Sequence, residues 1–457
     1  MAATLAGGAF FAVAWLRFAT YHSAAYDLAF FDQMVWNGAQ GNGLHSSFLR
    51  YDFFGQHFEP ALYAFVPLYR LHATPLWLLG GEALALGGAV VPLWALARRW
   101  LGDGVRPALV CAAYVLQIGV ARAVGFDFHT EALAVPFVFL ALLGAARGNT
   151  LMLLLCGVAP MLCKEDGALV TLGIAVLALV VHRRRAALVL GGVAVLGGAV
   201  IVLGVMPALR GGAPGDLVAR YAYLGDSPGA VLTHVFTQPQ VWLAHLVSPP
   251  AGPALLIALG AVGFLPLLRP LALLACMPAL LLPLLADDAY QGGLRLHYGL
   301  QATPLLVGAA MLGWQRADSL LRGRGHALAL APPAALLGGA LATWLALSPL
   351  PGGHGPDAVS LGGLQRSAQV DTLLARIPAD ATVAASSNLL THLAERAVIA
   401  EWPSRASPEW VVIDAAANVT AQSRTAGYAD AVTQLSTRGY VTVSTAGGVT
   451  LWQHHQR

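Results

Sequence analysis

Apolar runs of membrane-spanning length recur from the N-terminus to about residue 347. They fall at 3–20, 76–97, 105–123, 131–146, 150–163, 167–182, 186–209, 251–268, 270–286, 301–315 and 327–347. That predicts about eleven transmembrane helices, with 131–146 and 150–163 short for a span. The first run carries no clear cleavage site and is expected to be a retained helix. The pattern changes at Pro349, Pro351, Gly352, Gly353, Gly355 and Pro356, which mark a linker. Beyond it a helix is expected over 364–376, short buried strands at 382–386, 397–401 and 410–414, and an amphipathic helix at 428–439. YVTVS (440–444) and VTLWQ (449–453) flank Ala446, Gly447 and Gly448 and predict a closing hairpin. The expected fold is therefore mainly α. A polytopic transmembrane helical bundle (1–347) is followed by a small C-terminal α/β domain (348–457).

Composition agrees with a lipid environment. Hydrophobic residues make up 57% of the 457 positions and charged residues only 11%. Mean hydropathy is +0.65. A soluble domain carries roughly a quarter charged residues, so a bilayer is the natural solvent for this chain. A net charge of +3 without a basic, aromatic-rich tract excludes a nucleic-acid partner. The four cysteines, Cys111, Cys156, Cys163 and Cys276, sit in apolar stretches and read as small core hydrophobes.

Arginines mark one side of the membrane. Arg98, Arg99, Arg106, Arg147, Arg183, Arg184, Arg185, Arg269, Arg316, Arg322 and Arg324 fall in alternate loops, which places that side and the N-terminus in the cytoplasm. Loop 21–75, the turns at 127–131 and 164–166, loops 210–250 and 287–300, and the C-terminal domain then lie outside. Lys164 is the only lysine in an arginine-rich chain, which suggests a role that a guanidinium cannot fill.

Ionisable groups at membrane depth are functional candidates by default. Loop 21–75 holds Asp27 and Asp32 among Tyr26, Phe30, Phe31 and Trp36, in the pattern of an interfacial amphipathic helix with its aromatic residues toward lipid. Asp27 as a helix cap and Asp32 as a solvated carboxylate are the bland alternatives. His57 and Glu59 follow, as hydrogen-bonding groups or as two ligands of a metal site too small to stand alone. Asp127, His129 and Glu131 stand at a helix junction, able to cap the next helix, bind sugar hydroxyls or hold a divalent ion together with Asp27. Lys164, Glu165 and Asp166 separate two very apolar runs; they can pair internally or bind a phosphate. Arg220, Tyr221 and Tyr223 lie in a loop that reads mostly as surface. Arg295 and His297, with Asp287, Asp288, Tyr290 and Tyr298 near them, are candidates for an anionic ligand.

The segments YDLAFFDQMVWNGAQG, GQHFEPALYAFVPLYRL, GFDFHTEALAVPF and CKEDGAL occur in this order, followed by IPADATVAAS, THLAERAVIAEWP and EWVVIDA. Together they resemble a bacterial family of polytopic membrane proteins of unknown function that is grouped with the GT-C glycosyltransferases. The resemblance implies a GT-C-like helical domain in the plasma membrane. It also implies transfer of a sugar from a polyprenyl-phosphate donor, at the outer face, to a glycan, lipid or protein acceptor. GT-C enzymes carry an acidic residue in the first outer loop as catalytic base; the matching position is Asp27, with Asp32 as rival. This sequence departs from the pattern, because Asp27 stands between Tyr26 and Leu28 and not in an acidic pair. His57, Glu59, Asp127 and His129 would then position substrate hydroxyls or a divalent metal ion, the candidate cofactor, with Glu131, Glu165 and Asp166 as further substrate-binding candidates. Lys164 and Arg295 would be the cations near the phosphate, with His297 as a further substrate-binding candidate. Two other classes remain: a secondary transporter, with Glu82 as its best residue, and a non-catalytic assembly or receptor protein. Tolerance of alanine at Asp27, Asp127 and Lys164 together would favour the last.

Overall fold

The computed structural model describes residues 1–49, 51–213, 215–322, 329–356, 358–360, 362–404, 407–415 and 428–455. Arg324, positions 327–328 and the NVT motif at 418–420 lie outside the described residues. The chain divides into two compact units, and each is described by itself.

The first unit comprises Met1–Phe11, Phe54–Ala61 and Gly81–Val359. Every expected apolar run carries a helix, although several are interrupted. Among the described residues, Ala2–Ala19, Leu76–Leu101 and Arg184–Leu209 are long and apolar enough to cross a bilayer. Two further pairs qualify only as bent spans: Arg106–Val115 with Ile118–Val124 at 44°, and Pro239–Val247 with Ala251–Gly260 at 68°. Thr150–Cys163, Gly167–Val180, Pro270–Leu284 and Ala331–Leu347 are apolar but shorter. Among the described residues, length and composition thus pick out up to five full spans, and the shorter apolar helices stand at other expected runs. Pro249 and Pro250 stand at the 68° break, where a missing N–H cannot continue the helix, whereas the 44° break falls at Leu116 and Gln117.

These helices need lipid. Only 17% of the most apolar stretch of Arg184–Leu209 is buried, and Leu188, Leu196 and Leu203 are 67–70% exposed. Each would cost about 1–2 kcal/mol to hold in water. Where helices do meet they come close: a Cβ on Gly87 would lie 2.4 Å from the Gly7 nitrogen, a spacing that only glycine allows. Loop 210–250 is mostly surface, as expected, but it is not irregular. It contains the helices Pro228–Thr237 and Pro239–Val247.

The second unit comprises Ala12–Phe53, Leu62–Gly80 and Ser360–Arg457. It crosses the division expected at 347/348. The five strands are β1 (Val383–Ala385), β2 (Ile399–Glu401), β3 (Trp410–Asp414), β4 (Tyr440–Ala446) and β5 (Val449–His454). Their order is β2-β1-β3-β5-β4. β1 pairs in parallel with β2 and β3, with Val383 opposite Ile399 and Trp410. β5 runs antiparallel to β3 and β4. Gly447 and Gly448 both have positive φ, 56° and 77°, which the two-residue hairpin turn demands. The helix expected over 428–439 is confined to Tyr428–Thr433.

The core under this sheet draws on both ends of the chain. Tyr21, Ala25 and Ala29 pack with Val370, Leu374, Leu390 and Val412. The Ser47 hydroxyl donates to the Ile399 carbonyl at 2.7 Å and accepts from its N–H at 2.9 Å, which occupies the β2 edge. The Gln33 side-chain amide donates to the Arg396 carbonyl at 2.9 Å, and its oxygen accepts from Ser46 and from the Ser47 N–H.

The first loop corrects the sequence reading in three ways. Its segment is a π-helical turn, Ala25–Ala29, leading into helix Phe30–Ala39. Phe30 and Phe31 are buried and pack edge-on against Phe53 at 5.0 and 5.9 Å, so these aromatics face a core and not lipid; Tyr26 alone of the three is exposed. Asp27 lies within the π turn, whose cap position is Ala24, and so does not cap it. Asp32 is buried at 1% exposure, not solvated, and accepts a hydrogen bond from the Tyr69 hydroxyl at 2.7 Å.

His392 gives this unit a pH dependence. Its ring stacks between Phe18 and Tyr21, at 4.0 and 4.1 Å, and its Nε2–H donates to the Phe18 carbonyl at 2.9 Å. Burial pushes its pKa down from 6.5 to about 4, against the opposing pull of that carbonyl and of Asp371. The unfolded chain therefore takes up a proton that the folded chain refuses. Stability is lost as pH falls from about 6.5 toward about 4. Thermal unfolding in detergent at pH 7.5 and 5 is expected to show a smaller loss for His392→Phe, which keeps the stack, than for the unaltered chain. Equal losses would remove His392 as the cause.

Candidate functional site

In the membrane unit, helix Pro160–Cys163 ends where Lys164 turns extended (φ −167°, ψ 156°), and the next helix starts at Gly167. A Cβ on Gly167 would stand 2.0 Å from the Pro160 carbonyl oxygen, so the reversal that presents Lys164, Glu165 and Asp166 needs glycine there. Glu131 opens helix Glu131–Arg147, where the helix dipole favours a carboxylate. The Lys164 ammonium donates to Glu131 Oε1 at 2.5 Å. Burial alone would lower the lysine's pKa. The carboxylates of Glu131, Asp166, Glu59 and Glu165 outweigh that and hold it well above the ordinary lysine range. A buried ammonium wrapped by carboxylates accounts for a lone lysine in an arginine-rich chain.

The other two acidic residues of the turn are held differently. His57 Nδ1 lies 2.9 Å from Glu165 Oε1, and the Phe58 N–H donates to Oε2 at 3.1 Å. Burial would raise Glu165, but His57 and then Lys164 more than offset it, so this carboxylate sits below its usual range. Asp166 accepts a hydrogen bond from the Gln301 amide at 2.7 Å. Burial lifts it to about 6 in spite of Lys164, with the Glu165 and Glu131 charges adding to the lift. Of the three cavity carboxylates it is the one whose proton affinity lies nearest neutrality.

Glu131, Lys164, Glu165, Asp166, His57 and His297 share one cavity of about 400 Å³. Arg220, Tyr221, Gln291 and Gln301 complete its polar end. The rest of the wall is apolar, with Leu169, Leu172, Val195, Val202 and Leu282. Arg220 donates to the Gln291 side-chain oxygen at 2.6 Å, a neutral partner, while Lys164 is committed to Glu131. The sequence reading placed Arg220 in a surface loop. Its signal was only that an arginine followed by tyrosines interrupts an apolar stretch, and nothing local says that the loop folds back.

The remaining candidates divide. Glu59 is buried, with the Thr130 hydroxyl 2.8 Å away, and burial raises its pKa. Thr130, and not Asp127, holds the cap position of helix Glu131–Arg147. Asp127 and His129 are buried beside it, and His129 Nδ1 donates to the Asp127 carbonyl at 2.9 Å. The His129 ring stacks on His297 at 3.5 Å. Burial, then His129 and Lys164, push His297 well below the ordinary histidine pKa. Arg295 stacks over Tyr290 at 4.6 Å and is not part of the cavity wall. Glu82 is buried on helix Leu76–Gly88, also away from that wall. Asp27 and Asp32 belong to the second unit. There, burial and then the Glu395 charge push Asp32 up, against the Tyr69 hydrogen bond. Among the described residues no three His, Cys, Asp or Glu side chains gather as a metal site.

The family described as "Predicted membrane protein (DUF2079)" matches residues 17–451. No curated protein matches the chain. Among solved structures, the apo crystal structure of ArnT from Cupriavidus metallidurans is similar, with a TM-score of 0.50 and 13% identity. The match covers 99% of this chain and 98% of that one. At that identity the likeness shows the fold alone.

Proposed function

We propose that this chain, which belongs to the DUF2079 family of membrane proteins, is a glycosyltransferase that takes a sugar from a polyprenyl-phosphate donor at the outer face of a bacterial plasma membrane. The observation that carries this reading is the two-ended cavity of the membrane unit. Its apolar wall suits a lipid chain, and its polar end suits a phosphate and sugar hydroxyls. The arginine pattern of the loops supports the orientation, with the N-terminus in the cytoplasm and the turn 164–166 outside.

Arg220 is the cation for the phosphate in this reading, in place of Lys164 and Arg295. Its guanidinium has donors beyond the one given to Gln291 and can take two phosphate oxygens at once. Chemistry then needs one proton acceptor. The acceptor's hydroxyl oxygen attacks the anomeric carbon. The bond from that carbon to the phosphate oxygen breaks, and its electron pair leaves on the lipid phosphate. The hydroxyl proton passes to a carboxylate, and the configuration inverts in a single displacement. Asp166 is the cavity carboxylate suited to the task. Asp27 is the base that the family resemblance implies.

The test is binding and transfer with a panel of polyprenyl-phosphate sugars and purified protein in nanodiscs. Arg220→Ala is expected to weaken donor binding by about 10–100-fold, the 1.5–3 kcal/mol typical of a hydrogen bond to a charged group, without loss of thermal stability. Asp166→Asn and Asp27→Asn, run side by side, identify the base as the one whose loss abolishes transfer while donor still binds. Absence of saturable binding by every donor to a well-folded preparation would overturn the reading.

A further inference from the structure

The strongest feature outside the cavity is the helical hairpin Pro228–Thr237 and Pro239–Val247. Neither helix buries a single residue against the protein. Leu232 and Phe236, one turn apart, are 61% and 77% exposed. Leu243 and Val247, again one turn apart, are 46% and 78% exposed. Each helix therefore shows an apolar stripe with nothing on it. From Ser227 to Leu268 the sequence contains no Asp, Glu, Lys or Arg, and the only ionisable side chains there are His234 and His245. Ordinary water-facing hairpins are not built this way. The second helix also continues, through a 68° bend, into the apolar helix Ala251–Gly260, and the pair has the length and composition of a broken span or re-entrant loop.

We propose that hairpin 228–247 is embedded in the outer boundary of the bilayer, with its Leu232–Phe236 and Leu243–Val247 stripes against lipid acyl chains. Lipid is the occupant because the apolar surface is continuous with a membrane helix and carries no charge to match a protein partner. The absence of basic residues on the hairpin means that its contact is with acyl chains and not with anionic headgroups. The hairpin hangs on the segment that supplies the cavity's cation. Tyr223 stacks on His245 at 4.7 Å, and His234 hydrogen-bonds the Leu224 carbonyl. Tyr221 and Tyr223 in turn donate to the carbonyls of Leu282 and Leu285, both at 3.0 Å. Lipid contact is thus made a few residues from Arg220 and Tyr221, at the wall of the cavity.

The test is collision spectroscopy on nitroxide-labelled full-length protein in phosphatidylethanolamine–phosphatidylglycerol vesicles. Labels go at Phe236→Cys and Val247→Cys. A lipid-facing reference is Leu196→Cys, and a water-facing one is Asp103→Cys, whose side chain is 76% exposed. Positions 236 and 247 are expected to show a several-fold higher ratio of oxygen to nickel-complex collisions than position 103. The ratio should fall between those at 103 and 196 and correspond to a depth of about 5–10 Å. A ratio like that at 103 would overturn the proposal, as would low access to both reagents, which would mean a protein cover. Hydroxyl-radical footprinting of the unaltered chain guards against variants that fail to fold: protection of Phe236 in vesicles supports the proposal, and heavy oxidation there refutes it.

Discussion

Lys164→Ala is expected to destabilise the membrane unit by about 3–5 kcal/mol, the cost of removing one partner of a buried ion pair. The ammonium is 2.5 Å from Glu131 and is also attracted by Glu59, Glu165 and Asp166. Without it, Glu131 loses its cation out of water, and Glu59, Glu165 and Asp166 lose part of the charge that offsets theirs. The same reasoning predicts a rescue. Lys164→Met combined with Glu131→Leu removes both charges and leaves side chains of similar volume, so the double variant should melt close to the unaltered chain. Lys164→Arg should not rescue, because a forked guanidinium does not fit where a compact ammonium is enclosed. Thermal unfolding in nanodiscs, read as a double-mutant cycle, checks all three. If Lys164→Ala melted at the unaltered temperature, the structural account of the lysine would fail. This outcome also decides how donor assays are read: a loss of binding in Lys164→Ala would reflect a collapsed site, whereas the loss in Arg220→Ala would report a phosphate contact.

The second large effect concerns the C-terminal strands. Residues 360–457 expressed alone are expected not to fold, although the segment has the length and strand pattern of a small domain. Its core lacks Tyr21, Ala25 and Ala29 when the first loop is absent. Tyr21 alone is worth about 3–5 kcal/mol by analogy with deletion of a buried aromatic ring, and its hydroxyl also bonds Asp371. Ser47 no longer pairs with Ile399, so the β2 edge is left open. A net stability of about 5–15 kcal/mol for a whole domain does not survive losses of that size. The measurement is a melt followed by circular dichroism together with amide dispersion in a proton NMR spectrum. A sharp cooperative transition in the isolated segment would show that the first loop is dispensable to it.

These two effects also mark the limit of what the sequence could say. The location of the helices was legible because each depends on its own apolar run and on its own breakers: Pro160, Gly167 and the Pro249–Pro250 pair act where they stand. Strands β1 to β5 and the Gly447–Gly448 turn were legible for the same local reason. The chemistry-bearing clusters at 57–59, 127–131, 164–166 and 295–297 were visible as charges among hydrophobes. Their division was not. Nothing in the spacing says that Glu131, and not Glu165 or Asp166, takes the lysine, that Arg220 lines the cavity while Arg295 stacks on Tyr290, or that Phe30 and Phe31 turn inward. The division at Pro349 was read from a local cluster of prolines and glycines, whereas the first unit runs on to Val359 and the core beyond it is completed from residues near the N-terminus. Helix and turn formation are set by neighbours along the chain. Ion pairing, ring packing and shared cores are set by which segments meet in space, and only the tertiary structure decides that.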